Sequence, residues 1–512
     1  MARPFRLFEY DATLTRTFCL DDLLPAAHPA RQLVALLDTL DLSPLYTLYT
    51  PIGGHPYEPR GLLALWLYAY MTGITSSRQL EQAIRERIPF LYLAAGYTPD
   101  HSTLAEFRTL VFAYLPTLFD DLLTRAFQEG HLTMQAVSHD GTKIHADASK
   151  HQAVSYRRAG ELIHDLQGQI EDLLRRAQDD PASLPVTMDL ADEIALRRAR
   201  IARLQEARQV LEARADARYQ ADLLAYEEQQ AARAERERIT GRPPRGKPPA
   251  PPTPGPAPTD QHNFTDPDAR IMKNSTDTGV DEHYNGQTTV EHASRLIVGC
   301  ALSNHASDTR QAAPSFATIP AALGTPGAAC LDAGFWSPAT VADLTARGIT
   351  PYIAVGKRVH GLDWQRYYGT TLTTPPPADA SPQVQMAYQL QTPAGQTLYR
   401  ARKSTVEPVI GIIKEVLGFR QFSLRGLAKV RGEWCLVCLA YNLKRYFILQ
   451  AQQAHQQAQA LLQQASCAVV DAVMACLPTR YQPRGERLWL YGLVQSLVRF
   501  TKASRRLSPT GC

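Results

Sequence analysis

The stretch QAVSHDGTKIHAD, residues 135–147, decides the fold class of this chain. It is short and β-prone, and it places Asp140 among Val, Thr and Ile, which predicts a strand. Further segments with strand-like sequence follow at 283–291, 295–304, 327–336 and 350–355. Helical sequence lies between them, above all PATVADLTARG, which Ser337 and Pro338 open as cap and first helical residue. Strands that alternate with helices in this way predict an α/β sheet.

The sequence before this first strand is helical. Residues 1–130 contain a buried helix from Arg60 to Thr72, a helix opened by the capping signature Ser76-x-x-Gln79, and another that starts at Asp100. The last two flank a glycine turn, so they predict either a helix-turn-helix that reads DNA or two ordinary packed helices. Spacing alone leaves both alternatives open; residues 1–130 are predicted to form a helical N-terminal domain, with DNA binding as its expected role.

A second helical region interrupts the sheet. Residues 156–240 carry two apolar stripes at helical spacing, which predict an inserted antiparallel helical hairpin. Nine of the sixteen residues from Pro243 to Pro258 are proline, so 241–262 is expected to be an extended spacer without a core. The hairpin is either an arm that reaches DNA flanks or a second protomer, or a hairpin that packs only on itself. The stripes are Leu162, Leu166, Ile170 and Leu173, and Ile194, Ile201, Leu204 and Leu211.

The domain that contains the α/β sheet is thereby divided into two parts of the sequence. Its first strand or strands lie in 131–155, and the remainder lies in 263–450, followed by a basic helical tail at 451–512. The last predicted helix of this domain begins near Thr405, with Pro408 in its first turn, and ends at Gly418. Its core face consists of Val406, Val409, Ile410, Ile413 and Leu417.

Charge is unevenly distributed along the 512 residues. The formal net charge is only +4, yet residues 357–512 carry +13 and the rest −9. Such a basic block predicts a phosphate-binding surface, although uneven solvated faces would give the same count. Ordinary composition excludes a collagen-like or wholly disordered chain, and eight scattered cysteines exclude a disulfide scaffold. No signal peptide and no apolar run long enough for a bilayer are recognisable, so we expect a cytoplasmic, nucleoid-associated protein without membrane contact.

Three acids stand out by position: Asp140 in the first strand, Asp332 at the end of a later strand, and Glu407 on the late helix. Carboxylates that converge from one sheet could hold the divalent ions that phosphoryl transfer requires. Each acid has an ordinary structural interpretation as well. Asp140 could belong to a turn, Asp332 could cap a loop, and Glu407 could close a capping box with Ser404.

Several segments together resemble the DDE transposases of bacterial insertion sequences, in the four/five-type superfamily and its group typified by element number eleven-eighty-two. The resemblance covers most of residues 1–450. It implies an RNase H-like catalytic domain in which Asp140, Asp332 and Glu407 bind two Mg²⁺ or Mn²⁺ ions. The segments that carry it are GYTPDHSTLAEFR, VSHDGTKIHADASKH, NFTDPDARIMK, CLDAGFWSP and RARKSTVEPVIGIIKEVLGFRQFSLRGLAKVRGEW.

The family signature around the glutamate is Tyr-x2-Arg-x3-Glu-x6-Lys. Counted from Glu407, Lys414 fits, but Arg400 stands in the tyrosine position and Lys403 in the arginine position; Tyr399 and Arg402 are one place out of register. We expect phosphate contacts from the basic residues Arg400, Lys403, Lys414, Arg420 and Arg425.

The resemblance implies a transposase, a polynucleotidyl transferase with two-metal chemistry. Such an enzyme binds the terminal inverted repeats of its element, cleaves there and joins the ends to target DNA. Two ends held in one complex imply a homodimer. An inactive derivative that still binds the repeats is an alternative. A structural DNA-binding protein whose acids are only caps and turns is another.

Overall fold

The computed structural model describes residues 17, 19–49, 56–179, 185, 189–241, 248–274, 279–355, 375–377 and 380–476. It divides into two compact units, Met1–Leu443 and Lys444–Cys512. Within the second unit, the described residues form the C-terminal part of one long helix that ends at Cys476. Most of the predicted basic tail, 477–512, lies outside the described residues.

The N-terminal region is helical, as predicted. Asp100 caps its helix by accepting a hydrogen bond from the Thr103 backbone N–H at 2.7 Å, whereas Ser76 occupies a cap position without such a bond. A short helix lies between the two helices that were candidates for a helix-turn-helix, so they are not joined by a single tight turn. The helices are α1 (Leu20–Leu23), α2 (Pro29–Leu37), α3 (Ser43–Tyr46), α4 (Pro59–Met71), α5 (Ser77–Glu86), α6 (Ile88–Leu93), α7 (His101–Val111) and α8 (Leu115–Gln128).

A mixed six-stranded sheet follows. β1 lies at its centre, antiparallel to β5 on one side and parallel to β7 on the other, and β8 continues the sheet beyond β7 in parallel. Both β4 and β6 pair with β5, each antiparallel. The strands are β1 (Ala136–His145), β4 (Arg270–Lys273), β5 (Val280–Glu291), β6 (Ile297–Ser303), β7 (Ala328–Leu331) and β8 (Thr350–Ile353).

Two small strands and two long helices interrupt this sheet between β1 and β4. β2 (Ala153–Ser155) and β3 (Gln261–Asn263) form a two-stranded ladder, and between them run α9 (Tyr156–Asp179) and α10 (Leu190–Thr240). The two helices pack together because apolar residues recur at helical spacing on both. The buried cluster that joins them consists of Val154, Ala159, Ile163, Leu166, Ile170, Ile201, Leu204 and Ala207.

Later helices cover the sheet. They are α11 (Ala312–Phe316), α12 (Pro338–Ala346), α13 (Pro382–Gln391), α14 (Pro393–Gly411), which continues as a π-helical turn over Ile412–Val416, and α15 (Leu427–Cys476). Side chains of α14 reach a buried cluster on β1, β7 and β8, where Tyr399 packs beside Ala136, Cys330 and Tyr352. This packing fixes the α14 helix against the sheet.

The prediction that this helix begins near Thr405 is wrong. It begins at Pro393, where the Thr392 hydroxyl accepts a hydrogen bond from the Gly395 backbone N–H at 3.1 Å. Pro408 therefore lies inside the helix, where it cannot donate a backbone hydrogen bond, and the regular helix gives way to the π turn three residues later. The helix does end where expected, because Gly418 adopts a positive φ of 67°.

The N-terminal helices are joined to the residues that follow α14 by a buried polar network. Arg108 donates to the Ser423 hydroxyl at 3.0 Å and lies over the Trp66 ring at 4.6 Å. Glu433, fully buried on α15, accepts from the Tyr70 hydroxyl at 2.9 Å and from the Ser423 backbone N–H. A glycine is required at 432, because a Cβ there would overlap the Phe112 ring.

None of the helices within the described residues is both long enough and apolar enough to cross a membrane.

Candidate active site

Asp140 lies within β1, not in a turn. The strand continues through Gly141 and Thr142, and Asp140 is paired with Thr288 of β5. Its side chain is only 20% exposed. Because the Asp140 carboxylate is mostly removed from water, its charged form is disfavoured.

Asp332 follows β7 directly and lies next to Asp140. In the parallel pair of β1 and β7, His139 is opposite Leu331. The next residues, Asp140 and Asp332, therefore lie side by side. Asp332 also caps a short 3₁₀ turn by accepting from the Gly334 backbone N–H at 2.8 Å. The cap that the sequence allowed as an ordinary role is therefore present, and it orients the carboxylate at the end of the strand.

Arg402 on α14 bridges two of the three acids. Its Nη1 donates to Asp140 Oδ2 at 2.9 Å, and its Nη2 donates to Glu407 Oε1 at 3.4 Å. The Arg402 side chain is 12% exposed, so this charge is largely removed from water. A cation thus lies between Asp140 and Glu407.

Burial raises the pKa of Asp140 to about 6. The Arg402 guanidinium opposes that rise and the nearby Asp332 carboxylate adds to it. A carboxyl group whose pKa is shifted by burial and by specific charged neighbours is a candidate for a functional site.

Glu407 reaches this cluster from the helix edge opposite to the core face. Val406 and Val409 are fully buried, whereas Glu407 remains 48% exposed. The capping box with Ser404 is absent, since the Ser404 hydroxyl donates to the Ala401 carbonyl at 3.0 Å within the helix. Glu407 is therefore free of a capping role and pairs with Arg402.

The basic residues that were predicted to contact phosphates lie on α14 or after it, but several of them pair with other groups of the protein. Lys414 donates to the Lys143 carbonyl at 3.0 Å, and burial lowers its pKa. Arg420 pairs with Glu415 and Arg425 with Asp147. Only the α14 pair faces outward without an acidic partner among the described residues: Arg400, bonded to the Gln396 amide at 3.4 Å, and Lys403, which is exposed.

Arg402 is one place out of register with the family signature counted from Glu407. It is nevertheless the basic residue that pairs with both Asp140 and Glu407. Tyr399 lies one helical turn before it and is half-buried; burial raises the Tyr399 pKa, and the nearby Arg402 charge opposes that rise. The spacing Tyr399-x2-Arg402 agrees with the family signature, and only the distance to Glu407 is one residue longer. That intact pair was the signal that could have identified Arg402.

Among the described residues, no group of three or more His, Cys, Asp and Glu side chains has an arrangement that could hold a metal ion. The Arg402 guanidinium lies between Asp140 and Glu407 and pairs with both. The donor chemistry nevertheless suits a hard divalent ion, since all three acids offer carboxylate oxygens. Direct binding by both Asp140 and Glu407 requires Arg402 to move aside.

Two family models match the chain. Residues 18–110 match a transposase domain, DUF772, and residues 371–447 match a transposase DDE domain. The second match contains Arg402 and Glu407 on α14. No curated protein and no solved structure matches the chain significantly. Together with the acids on the central strands, the two domain matches support a DDE transposase.

Proposed function

We propose that this protein is a transposase of the insertion-sequence type. It binds the terminal inverted repeats of its own element as a homodimer, cleaves the DNA at their ends and transfers the 3′ hydroxyls to target DNA. The observation that carries the proposal is that Arg402 pairs with both Asp140 and Glu407, while Asp332 lies beside Asp140 at the end of the adjacent strand. Arg402 and Glu407 belong to the segment that a DDE-domain model matches.

The topology of the sheet supports an RNase H-like catalytic domain. A central β1 that is antiparallel to β5 and parallel to β7, with β8 beyond it, is the strand arrangement expected of that fold. The insertion of α9 and α10 between β1 and β4 leaves these pairings intact. The two aspartates therefore come from adjacent central strands and the glutamate from a helix packed on them.

In the reaction, Asp140, Asp332 and Glu407 would hold two Mg²⁺ or Mn²⁺ ions. Such ions activate the attacking oxygen and stabilise the leaving one in an in-line displacement. In the free protein Arg402 pairs with Asp140 and Glu407. Once bound metal ions balance the charge of these carboxylates, Arg402 would turn toward a DNA phosphate. Arg400 and Lys403, exposed on the same helix, would hold the flanking phosphates.

Asp332→Asn tests this assignment, because it preserves shape and removes one charge. We expect cleavage of DNA that carries the sequences flanking the coding region to fall roughly 100-fold or more in Mg²⁺, as loss of several kcal/mol of metal-based stabilisation implies. Binding to the same DNA should be nearly unchanged. Asp343→Asn is the matched control, since Asp343 is an aspartate on α12 that pairs with Arg347 of the same helix.

Cleavage by Asp332→Asn at the wild-type rate would exclude the triad. Binding without any cleavage by the wild-type protein would instead favour an inactive derivative that acts as a repressor. Inverted repeats around the coding region, with a short target duplication outside them, would separate a mobile element from a host DNA-binding protein.

A further inference from the structure

The segment that follows α14, residues 418–424, runs beside the end of β1. The His145 backbone N–H donates to the Arg420 carbonyl at 3.1 Å, and the Phe422 backbone N–H donates to the His145 carbonyl at 2.9 Å. These two bonds lie on the strand that also carries Asp140. The segment therefore ties the central strand of the sheet to the end of α14.

Glu433 of α15 also holds this segment. Its Oε2 accepts from the backbone N–H groups of Ser423 and Leu424, each at 3.1 Å. Its Oε1 accepts from the Ser423 hydroxyl and, at 2.9 Å, from the Tyr70 hydroxyl. Glu433 is fully buried, so its charge is compatible with the protein interior only while these donors remain in place. The bend at 423–424 is thereby fixed by a buried carboxylate.

Two hydroxyl groups bridge Glu433 to Arg108 of α7, which is itself only 5% exposed. The Tyr70 hydroxyl accepts from Arg108 Nη1 at 3.2 Å and donates to Glu433. The Ser423 hydroxyl accepts from Arg108 Nη1 at 3.0 Å and likewise donates to Glu433. A buried cation and a buried anion are thus joined through one hydroxyl on the N-terminal helix α4 and one hydroxyl after α14. Such bonds strengthen one another, so the loss of one weakens the rest.

The N-terminal helices also approach the end of α14 directly. A Cβ on Gly73, just after α4, would lie 3.0 Å from the Leu417 carbonyl oxygen. The rings of Tyr70 and Phe419 have centroids 6.3 Å apart, and both residues are buried. Leu417 lies about 15 Å beyond Glu407 along the helix, at a rise of about 1.5 Å per residue. The end of the helix that carries Glu407 is therefore packed against α4.

We propose that the bonds among Tyr70, Arg108 and Glu433 position Glu407 for metal binding. They act through residues 418–424, which hold the end of α14 against the sheet. The inference rests on the proposed function, since it assigns positioning residues to the same site. It makes the N-terminal helices part of the scaffold of that site, and the N-terminal family match includes both Tyr70 and Arg108. Placement matters because a displacement of about 1 Å at a reacting site can lower the rate roughly 100-fold.

Tyr70→Phe tests the proposal, because it removes one bridging hydroxyl and preserves the ring. Two quantities are measured on the full-length chain: Mn²⁺ affinity without DNA, by electron paramagnetic resonance, and the rate of Mg²⁺-dependent cleavage of DNA that carries the flanking sequences. We expect Mn²⁺ affinity to fall about threefold and cleavage about tenfold, because Glu407 is then placed less accurately. Tyr114→Phe is the matched control, since this equally buried tyrosine donates its hydroxyl to the Asp41 carbonyl at 2.9 Å.

Ser423→Ala removes the second bridging hydroxyl and should reproduce both losses. If Asp332→Asn weakens Mn²⁺ binding and cleavage while Tyr70→Phe behaves like Tyr114→Phe, the network only supports the fold; the proposal is then overturned and the triad still stands. Slower cleavage with unchanged Mn²⁺ affinity in Tyr70→Phe and Ser423→Ala would show that the network does not act through a metal-binding carboxylate, which also overturns the proposal. If Asp332→Asn leaves both quantities unchanged, the proposed active site itself fails, and this inference with it.

Discussion

Arg402 donates a hydrogen bond to Asp140 at 2.9 Å from a helix 262 residues later in the chain. The same guanidinium reaches Glu407 at 3.4 Å, so one basic side chain holds together acids from a strand and a helix. This ion-paired arrangement keeps two partly buried carboxylates compatible with a folded protein in the absence of other cations. It also means that any divalent ion must compete with an internal cation.

Removal of that competitor should strengthen metal binding. We expect Arg402→Gln to bind Mn²⁺ about tenfold more tightly than wild type, because the carboxylates then lose the unit charge that neutralises them. Calorimetry on the DNA-free protein measures this. Arg400→Gln is the control, since Arg400 is exposed on the same helix and hydrogen-bonds to Gln396. Unchanged or weaker Mn²⁺ binding by Arg402→Gln would contradict the competition.

His139, fully buried beside Asp140, should make stability depend on pH. Burial lowers its pKa to about 4, while Thr289 and Gln287 hydrogen-bond to its ring. The unfolded chain takes up the proton near pH 6.5 and the folded chain only near 4, so stability falls as pH drops through that window. The loss is at most about 3.4 kcal/mol, the free energy that corresponds to a pKa of about 4 in place of 6.5.

Denaturant unfolding at pH 7 and at pH 4.5 measures this effect. His139→Gln should show a smaller loss of stability between the two pH values than wild type, because glutamine cannot be protonated in this range. His151→Gln is the control, since that histidine is exposed. Identical pH dependence in wild type and His139→Gln would show that the ring is not the titrating group.

The close contact between Gly432 and Phe112 should make position 432 intolerant of any side chain. Gly432→Ala would force the Phe112 ring aside and is expected to destabilise the protein by about 1–3 kcal/mol, as overpacking typically does. Gly168→Ala, in the middle of α9 with open space around it, should instead be neutral or stabilising by about 0.5–1 kcal/mol. Free energies of unfolding from chemical denaturation decide between these outcomes, and equal effects would contradict the packing described.

Exposed basic residues on α14 should set the salt dependence of DNA binding. Each neutralised phosphate contributes about −0.9 to the slope of log affinity against log salt. Arg400→Ala with Lys403→Ala is therefore expected to make the slope shallower by about 1.8 if both contact phosphates. Arg175→Ala, an exposed arginine on α9 that pairs with Asp172, is the matched control. An unchanged slope in the double variant would remove both residues from the DNA interface.

The sequence predicts much of the fold because the segments after the spacer have strand-like sequence bounded by turn residues. β5 to β8 and the Ser337 cap of α12 lie where those segments indicate. The start of α14 is not predicted correctly, because a proline such as Pro408 is typical of a first helical turn. The helix uses the earlier cap at Thr392 instead. Local signals of this kind do not show which of two possible caps tertiary packing will use.

The site was predictable only in part for a related reason. Asp140 and Asp332 could be paired because each lies in or just after a central strand, and Glu407 because its motif is specific. A shift of one residue on a helix rotates a side chain by about 100°, so Arg400, Arg402 and Lys403 face different directions.

The central claim is that Glu407 belongs to a metal-dependent DNA-cleaving site, and a matched pair on one helical segment tests it most directly. Glu407→Gln removes the carboxylate next to Arg402, whereas Glu415→Gln removes an exposed one that pairs with Arg420. The measurement is the rate of Mg²⁺-dependent strand cleavage at the element ends. We predict a loss of roughly 100-fold or more for Glu407→Gln and wild-type activity for Glu415→Gln. Wild-type cleavage by Glu407→Gln, or equal losses in both variants, would contradict the account.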